Sequence, residues 1–162
     1  MVVHSINPVY DEKSEILILG SFPSVKSRED GFFYAHKQNR FWRVLSKAFD
    51  TKVPETVEEK KKLLLLNHIA LWDVIHSCDI NGSADSSIKN VVANDLSVIL
   101  DNAEIKTIIT NGKTADKLYN KYIYPDVKIK SICLASTSPA NARVSLDDLS
   151  DIWKEYLIKQ CK

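Results

Sequence analysis

The chain has 162 residues, of which 44% are hydrophobic and 27% are charged, and its formal net charge is +1 at pH 7. These values indicate one globular domain spanning residues 1–162, and the near-neutral charge excludes nucleic-acid binding that depends on a global positive field. The longest apolar run, residues 63–66, is far too short to cross a bilayer, and the N-terminus lacks a signal pattern, so we expect a cytoplasmic protein without a membrane partner.

The first predicted element is a buried strand at residues 16–19, whose sequence is Ile-Leu-Ile-Leu. An uninterrupted apolar run of this kind is typical of a parallel strand that is covered on both faces. Gly20, Ser21 and Pro23 end the strand, and the loop that follows combines aromatic with cationic and amide side chains (Phe32, Phe33, Tyr34, His36, Lys37, Asn39, Arg40 and Arg43). Ligand crevices of open α/β sheets form after such strands, and this combination suits a nucleobase and its phosphates.

Helices and strands alternate through the rest of the chain. Apolar spacing predicts helices at residues 41–49 and 56–66 and a buried strand at residues 69–75, whereas the polar residues 76–90 predict a loop. The later elements are a helix at 94–100, a strand at 106–110, a helix from Gly112 to about residue 122, a strand at 129–134, a loop at 135–143 and a closing helix from residue 145. This order predicts a three-layer α/β/α fold with a central, mainly parallel four-stranded sheet, in which the loops after the strands can converge at one edge.

The cysteines and histidines do not predict a metal site. Cys78, Cys133 and Cys161 have no CxxC spacing, and the histidines (His4, His36, His68 and His76) form no HExxH pattern. Iron–sulfur clusters and structural zinc need more ligands at closer spacing. We therefore expect no metal ion, and reduced, buried thiols.

Three blocks of the sequence resemble the uracil-DNA glycosylase superfamily. They are GSFPS at residues 20–24, GFFYAHKQNRFWRVL at residues 31–45 and TSPANAR at residues 137–143. The second block is similar to mismatch-specific uracil-DNA glycosylases, and its combination with residues 69–90 and with the third block is closer to the hypoxanthine (deoxyinosine) DNA-glycosylase branch. The resemblance implies an α/β/α enzyme that hydrolyses the N-glycosidic bond of a deaminated base without a metal or organic cofactor. The implied partner is DNA that contains deaminated bases, with an abasic-site endonuclease acting downstream of a monomeric glycosylase.

The first block departs from the superfamily pattern at its third position. Relatives that use this block for catalysis place Asp or Asn there to orient water, whereas this chain has Phe22, which has no hydrogen-bonding group and which we expect in the base site. In the hypoxanthine branch the essential amide comes from the second block, at Asn39. This amide can orient water through its carbonyl or hold the departing base through its NH₂. Its place before the predicted helix equally suits an N-cap.

Base recognition is expected from the second block and from the end of the second buried strand. Tyr34 aligns with the aromatic residue that stacks on the flipped base in mismatch-specific relatives, and Phe33 is the second candidate, although one or both can belong to the core. Asp73 can accept the N1–H of hypoxanthine, which adenine lacks, or can cap a turn. His36 can donate to a base or phosphate, or pack within its loop. A further pocket wall is expected from Asn81, Ser83 or Asp85, which the sequence does not rank.

DNA contacts are expected from the loops around the three blocks and from a later helix start. The predicted DNA-binding residues are Ser24, Arg40, Lys113, Ser138, Pro139, Asn141 and Arg143. In relatives the third block enters the duplex where the base has left, and Ser136 stands where some of them have a His that stabilises the leaving base. Without the resemblance, Thr-Ser-Pro is a plain turn and Lys113 is a plain helix start.

Three other functions are compatible with the sequence to different degrees. The first is the same chemistry on uracil or thymine in mismatches, and the second is a non-catalytic module that binds DNA lesions or nucleotides. A nucleotide-metabolising α/β enzyme has less support, because neither GxGxxG nor GxxxxGK[ST] occurs. No lysine of the three blocks is an evident Schiff-base nucleophile, so strand cleavage is not expected.

Overall fold

The structure is a computed structural model that describes residues 1–160, and the side chains of residues 1–158. Within that range the strands are β1 (Val2–Val3), β2 (Ile16–Gly20), β3 (Ile69–Asp73), β4 (Ile75–Asp79), β5 (Lys89–Ala93), β6 (Thr107–Asn111) and β7 (Ser131–Leu134). The α-helices are α1 (Val25–Asp30), α2 (Phe41–Ala48), α3 (Val57–Leu66), α4 (Ser97–Leu100), α5 (Lys113–Tyr122), α6 (Tyr124–Val127) and α7 (Leu146–Gln160). None of these helices is long and apolar enough to cross a membrane.

A four-stranded parallel sheet forms the centre of the molecule, in the order β3-β2-β6-β7. All five residues of β2 are buried. Because successive side chains of a strand point to opposite faces, complete burial of β2 means that both faces of the sheet are covered. Helix α3 packs against β3, and α5 packs against β6 and β7. The predicted α/β class with a mainly parallel four-stranded sheet is confirmed.

A second, antiparallel sheet has the order β1-β4-β5 and was not predicted from the sequence. The loop predicted at residues 76–90 is wrong, because β4 occupies residues 75–79 and β5 begins at Lys89. The predicted strand at 69–75 therefore splits into β3 and the first residue of β4. The sheet is completed by β1, in which Val2 lies opposite Cys78. Because the paired residues are far apart in the sequence, no local sequence pattern reveals that they pair.

Helix α1 was also absent from the prediction. The Ser24 hydroxyl caps it by accepting from the Ser27 N–H at 3.1 Å, and Gly31 ends it in the left-handed region with φ of 75°. A serine N-cap followed by a C-terminal glycine is an ordinary helix signal. At six residues the helix is too short for apolar periodicity to reveal it.

The N-terminal segment runs along the outer edge of β3. Val9 and Leu71 exchange two backbone hydrogen bonds, at 3.0 and 2.9 Å, and the His4 N–H donates to the His76 carbonyl at 2.6 Å. The Trp72 indole N–H donates to the Ile6 carbonyl at 3.2 Å. These bonds fix the segment on both sides of His4 and bring this histidine to the C-terminal end of β3.

Helix α7 supports the loops at the C-terminal edge of the sheet. It packs against α2, and its Trp153 is fully buried. The Trp153 ring lies edge-on to Phe41, with 6.1 Å between ring centroids, and its N–H donates to the Ala135 carbonyl at 2.9 Å. One side chain of α7 thus contacts both the start of α2 and the residues just before the third sequence block.

The thiols differ in part from the prediction of buried cysteines. Cys78 is buried and free, whereas Cys133 is free but exposed. Cys133 lies on β7, an edge strand of the parallel sheet whose residues alternate incompletely between core and surface. Cys161 lies outside the described residues.

Candidate active site

A cavity of about 260 Å³ opens where β2, β3 and β6 end. Its volume is near the lower end of small-molecule sites, which start at about 300 Å³. Nine of the residues that the sequence predicted for the site line it: Phe22, Ser24, Phe33, Tyr34, His36, Asn39, Asp73, Ser138 and Pro139. The four remaining predicted residues, which are Arg40, Lys113, Asn141 and Arg143, lie outside its wall.

Tyr34 contributes both a ring and a hydroxyl group to the site. Its ring stacks on Phe41, with 4.1 Å between centroids and 19° between planes, so one ring face is already covered. Its hydroxyl oxygen accepts from the Asn111 amide at 3.1 Å. Burial raises the pKa of Tyr34 and the nearby charge of Asp73 raises it further, so the hydroxyl keeps its proton at physiological pH. Phe32 and Phe33 are both core residues, and only Phe33 reaches the cavity.

Asp73 places one carboxylate oxygen in the cavity and the other against His4. Its side chain is only 5% exposed, and Oδ2 lies 2.8 Å from His4 Nε2. The location of Asp73 Oδ1 is defined by its distance from Gly20, the residue that pairs with Asp73 in the parallel sheet. A Cβ atom on Gly20 would lie 2.5 Å from Asp73 Oδ1 and 2.9 Å from the Tyr34 hydroxyl. The carboxylate oxygen and the phenol therefore converge above the glycine on the cavity floor.

The sequence resemblance implies that Asp73 and Tyr34 read the base, and the methyl group of Gly20→Ala would displace both side chains. We therefore expect this substitution to lower base excision about 100-fold. Single-turnover rates on a duplex that contains deoxyinosine measure the effect. Gly31→Ala is the matched control, since a Cβ there meets no atom within 4 Å. The effect expected in that control is the backbone strain of its positive φ, which lowers the free energy of unfolding by about 1–2 kcal/mol. Equal rate losses in the two variants would contradict the packing role of Gly20.

Asn39 uses its carbonyl oxygen inside the protein. This oxygen accepts from the Phe41 N–H at 2.9 Å and from the Thr137 hydroxyl at 2.9 Å. The first bond satisfies an N–H at the start of α2. The N-cap interpretation of Asn39 is wrong by one position, because the helix begins at Phe41 and its N-cap is Arg40, whose side chain makes no capping bond. Because a backbone N–H can only donate, the bond fixes the orientation of the amide. The NH₂ group is then the part of Asn39 that is available to a ligand in the cavity.

Asn111 and Thr137 connect the walls of the cavity, and sequence reasoning did not assign them a role. Asn111 donates to the Tyr34 hydroxyl and to Thr137 Oγ1, at 3.1 and 2.9 Å, and its oxygen accepts from the Thr137 N–H at 3.0 Å. Thr137 then donates to Asn39. The sequence does contain a signal for Asn111. It is a polar residue that directly follows the predicted buried strand, one position beyond the predicted end at residue 110.

Ser83 and Asp85 contribute to the remaining wall. Of the three unranked candidates, Ser83 and Asp85 line the cavity and Asn81 does not. The Ser83 hydroxyl accepts from the Val25 N–H at 2.9 Å, and Asp85 Oδ1 accepts from the Ser21 hydroxyl at 3.3 Å. Burial of the carboxyl group raises the pKa of Asp85 despite the hydrogen bonds that lower it, and the charge of Asp73 adds to the rise.

Arg40, which the sequence predicted as a DNA contact, is engaged by contacts within the protein. Its guanidinium donates to the carbonyls of Ser138, at 3.2 Å, Asn141, at 2.8 Å, and Val144. The half-buried side chain thus attaches the third sequence block to the start of α2. Asn141 is likewise internal, since its amide donates to the Ser136 carbonyl at 3.0 Å. A half-buried guanidinium needs such partners. Loop carbonyls supply them to the two terminal nitrogens, whereas the buried Nε has no hydrogen-bond partner among the described residues.

We expect Arg40→Met and Arg143→Met to affect different properties. The first should change protein stability, and the second should change the salt dependence of DNA binding. Loss of the carbonyl contacts of Arg40 should lower the free energy of unfolding by about 1–3 kcal/mol and leave the salt dependence of DNA binding unchanged. Arg143 is exposed in the same block, so its replacement should leave stability unchanged and reduce the slope of log K against log salt by about 0.9. Thermal unfolding and a salt titration of duplex binding measure both. A reduced slope in Arg40→Met would show that Arg40 does contact a phosphate.

Lys113 and His36 lie at the periphery of the site. Lys113 is exposed at the start of α5, directly after Gly112. Gly112 has φ of 95°, and a Cβ there would lie 2.9 Å from Ser136 Cβ, so the glycine allows the helix start to approach the residue just before the third block. His36 is exposed at the cavity rim, where its Nδ1 accepts from the Gln38 N–H at 3.1 Å. Nε2 of His36 is left to face a ligand.

Comparison with known proteins agrees with this geometry. Residues 8–157 match the model of the Uracil DNA glycosylase superfamily. The chain is 34% identical over 147 residues to a hypoxanthine DNA glycosylase of Methanosarcina acetivorans, covering 90% of this chain and 92% of the relative. It is 33% identical over 150 residues to a hypoxanthine DNA glycosylase of Methanosarcina barkeri, covering 91% and 93%.

A solved structure extends the agreement to the whole fold. The solution NMR structure of a Methanosarcina acetivorans protein, provisionally described as a uracil DNA glycosylase, superposes with a TM-score of 0.83 at 32% sequence identity. The match covers 99% of both chains. The structural match and the family match over residues 8–157 identify the same superfamily. The chain belongs to the uracil DNA glycosylase superfamily.

Proposed function

We propose that this chain is a monofunctional DNA glycosylase that releases hypoxanthine from DNA by hydrolysing the N-glycosidic bond. The observation that carries the proposal is the pair of groups on the cavity floor, the Asp73 carboxylate and the Tyr34 hydroxyl, which meet above Gly20. Two relatives that are named hypoxanthine DNA glycosylases support the substrate.

The two floor groups complement the edge of hypoxanthine. The base presents N1–H as a donor and O6 as an acceptor. Asp73 Oδ1 accepts from N1–H, and the Tyr34 O–H donates to O6, because the phenol oxygen already accepts from Asn111 and its proton is free. Adenine presents an acceptor at N1 and a donor at C6, so both contacts are mismatched. Unpaired buried polar groups of this kind give strong discrimination.

Asn39 is assigned to the departing base or the sugar rather than to the attacking water. Its carbonyl is engaged by Phe41 and Thr137, so its NH₂ can donate to charge that develops on the leaving base. Tyr34 is assigned to the edge of the everted base rather than to its face. One face of its ring is covered by Phe41, and a phenol that donates to O6 lies roughly in the plane of the base, so it cannot also stack flat on it.

We assign Asp85 to the orientation of the attacking water. Relatives give this role to an Asp or Asn at the position of Phe22, which has no hydrogen-bonding group. Asp85 lies at the cavity wall and bonds to Ser21, the neighbour of Phe22. Its raised pKa makes the carboxylate a stronger base than an aspartate with the ordinary pKa. Lysine is absent from the cavity wall in the described part of the chain, which agrees with hydrolysis rather than Schiff-base chemistry.

A panel of duplexes tests the proposal. Duplexes containing deoxyinosine, deoxyuridine, deoxyxanthosine or deoxyadenosine are incubated with the protein and then cleaved with alkali at any abasic site. We expect cleavage at deoxyinosine and none at deoxyadenosine. Excision of uracil from G·U pairs at least as fast as hypoxanthine would favour a mismatch-specific uracil glycosylase. Salt-dependent binding without release of any base would indicate a non-catalytic lesion-binding module.

A further inference from the structure

His4 lies outside the three sequence blocks, yet it is the residue that holds the Asp73 carboxylate. Its side chain is 1% exposed, and its Nε2 is 2.8 Å from Asp73 Oδ2 across 69 positions of sequence. Three aromatic rings enclose the imidazole, with centroids at 6.0 Å for Phe22, 6.1 Å for Phe33 and 6.4 Å for Trp72. The bonds of the N-terminal segment to β3 and β4 fix the backbone on both sides. These contacts hold the imidazole ring in a single orientation.

The protonation of His4 follows from its second hydrogen bond. The Ile6 N–H donates to His4 Nδ1 at 3.2 Å. A backbone N–H can only donate, so Nδ1 carries a lone pair and the ring proton is on Nε2. Nε2–H then donates to Asp73 Oδ2. The pair is a neutral histidine that donates to a carboxylate, and this leaves Oδ1 as a pure acceptor on the cavity floor.

We propose that His4 is a positioning residue for base selection, which acts by holding Asp73 so that Oδ1 accepts the ring N–H of a deaminated base. The proposal rests on the function proposed above and adds the residue that sets its specificity. Without the Nε2–H donor, the Asp73 carboxyl group loses both its fixed rotamer and its fixed direction of acceptance. His4 touches neither the base nor the sugar, and it acts only through Asp73.

The experiment compares His4→Phe, His4→Gln and His76→Phe. His4→Phe keeps an aromatic ring among the three neighbouring rings but has no donor, whereas His4→Gln retains an N–H at a similar reach. His76→Phe makes the same chemical change at an exposed histidine of β4. On a deoxyinosine duplex we expect an approximately 100-fold lower single-turnover rate for His4→Phe, recovery to within about 10-fold for His4→Gln and no change for His76→Phe. Binding to a duplex with a tetrahydrofuran abasic-site analogue should be unchanged in all three.

Two readouts separate positioning from a merely structural role. Parallel losses of excision and of abasic-site binding in both His4 variants would overturn the proposal, as would a wild-type rate in His4→Phe. In the wild-type protein, long-range ¹H–¹⁵N correlation spectra should show the Nε2–H tautomer of His4, and an Nδ1–H or doubly protonated ring would overturn the assignment. If the wild-type protein releases no base, the proposed function itself fails. If it releases hypoxanthine while His4→Phe does so equally well, only the role of His4 fails.

Discussion

Asp73→Asn should change which base the enzyme releases. Because His4 Nε2–H donates toward this position, the asparagine oxygen is held against His4 and its NH₂ faces the cavity. A donor then opposes the N1–H of hypoxanthine, whereas adenine N1 becomes a matching acceptor. We expect the rate on deoxyinosine to fall by about 10²- to 10⁴-fold and excision of adenine to become detectable. Single-turnover assays on paired deoxyinosine and deoxyadenosine duplexes measure the change in preference.

Asp85→Asn is the matched control for this change of preference. It also removes a carboxylate from the cavity wall, but its position is beside Ser21 rather than on the floor. If charge alone governs activity, the two variants should behave alike. We expect Asp85→Asn to slow excision without admitting adenine. An Asp73→Asn variant that retains the wild-type rate on deoxyinosine would remove Asp73 from base recognition.

Asn39→Asp is expected to lower the rate of hypoxanthine release by about 10²- to 10³-fold, the usual effect of removing one donor that stabilises developing charge. The aspartate retains an acceptor for the Phe41 N–H and the Thr137 hydroxyl, so the start of α2 should stay intact. Asn39→Ala removes the same donor and also the helix contact, which adds a loss of about 1 kcal/mol in the free energy of unfolding. Single-turnover rates and thermal unfolding of both variants separate the two contributions.

Thr137→Val provides the control for the Asn39 experiment. It removes one bond to the Asn39 oxygen at a fully buried position and leaves the NH₂ group in place. We expect a smaller rate loss than in Asn39→Asp, because the Phe41 N–H still fixes the amide. If Asn39→Asp keeps the wild-type rate, the essential group is the side-chain oxygen, and the assignment of the NH₂ to the leaving base is wrong.

The parallel sheet could be predicted because its signals are local. The buried run at residues 16–19 and the apolar stretch before Asn111 are each strand patterns that need no distant partner to be seen. Since parallel strands end at one edge, topology predicted that the loops meet around one cavity, and the family resemblance singled out Tyr34, Asn39 and Asp73 within them. The first and second sequence blocks then placed Phe22 and His36 at the same site.

The features that sequence reasoning missed depend on contacts between distant segments. The antiparallel sheet pairs Val2 with Cys78, and His4 reaches Asp73 only because the N-terminal segment follows the edge of β3. The contacts of Arg40 with loop carbonyls were also missed, because an arginine beside aromatic residues has the same sequence whether it faces phosphate or loop carbonyls. Its actual partners are about 100 positions away. Composition and periodicity carry no information about such pairs.

Helix α7 couples two walls of the cavity. Trp153 supports Phe41, which backs Tyr34, and it also holds the carbonyl that precedes the third block. A substitution that shifts this helix would therefore move the Tyr34 ring and the third block together. The shape of the cavity depends on a helix that lies behind it and that, in the described part of the chain, supplies no residue to its wall.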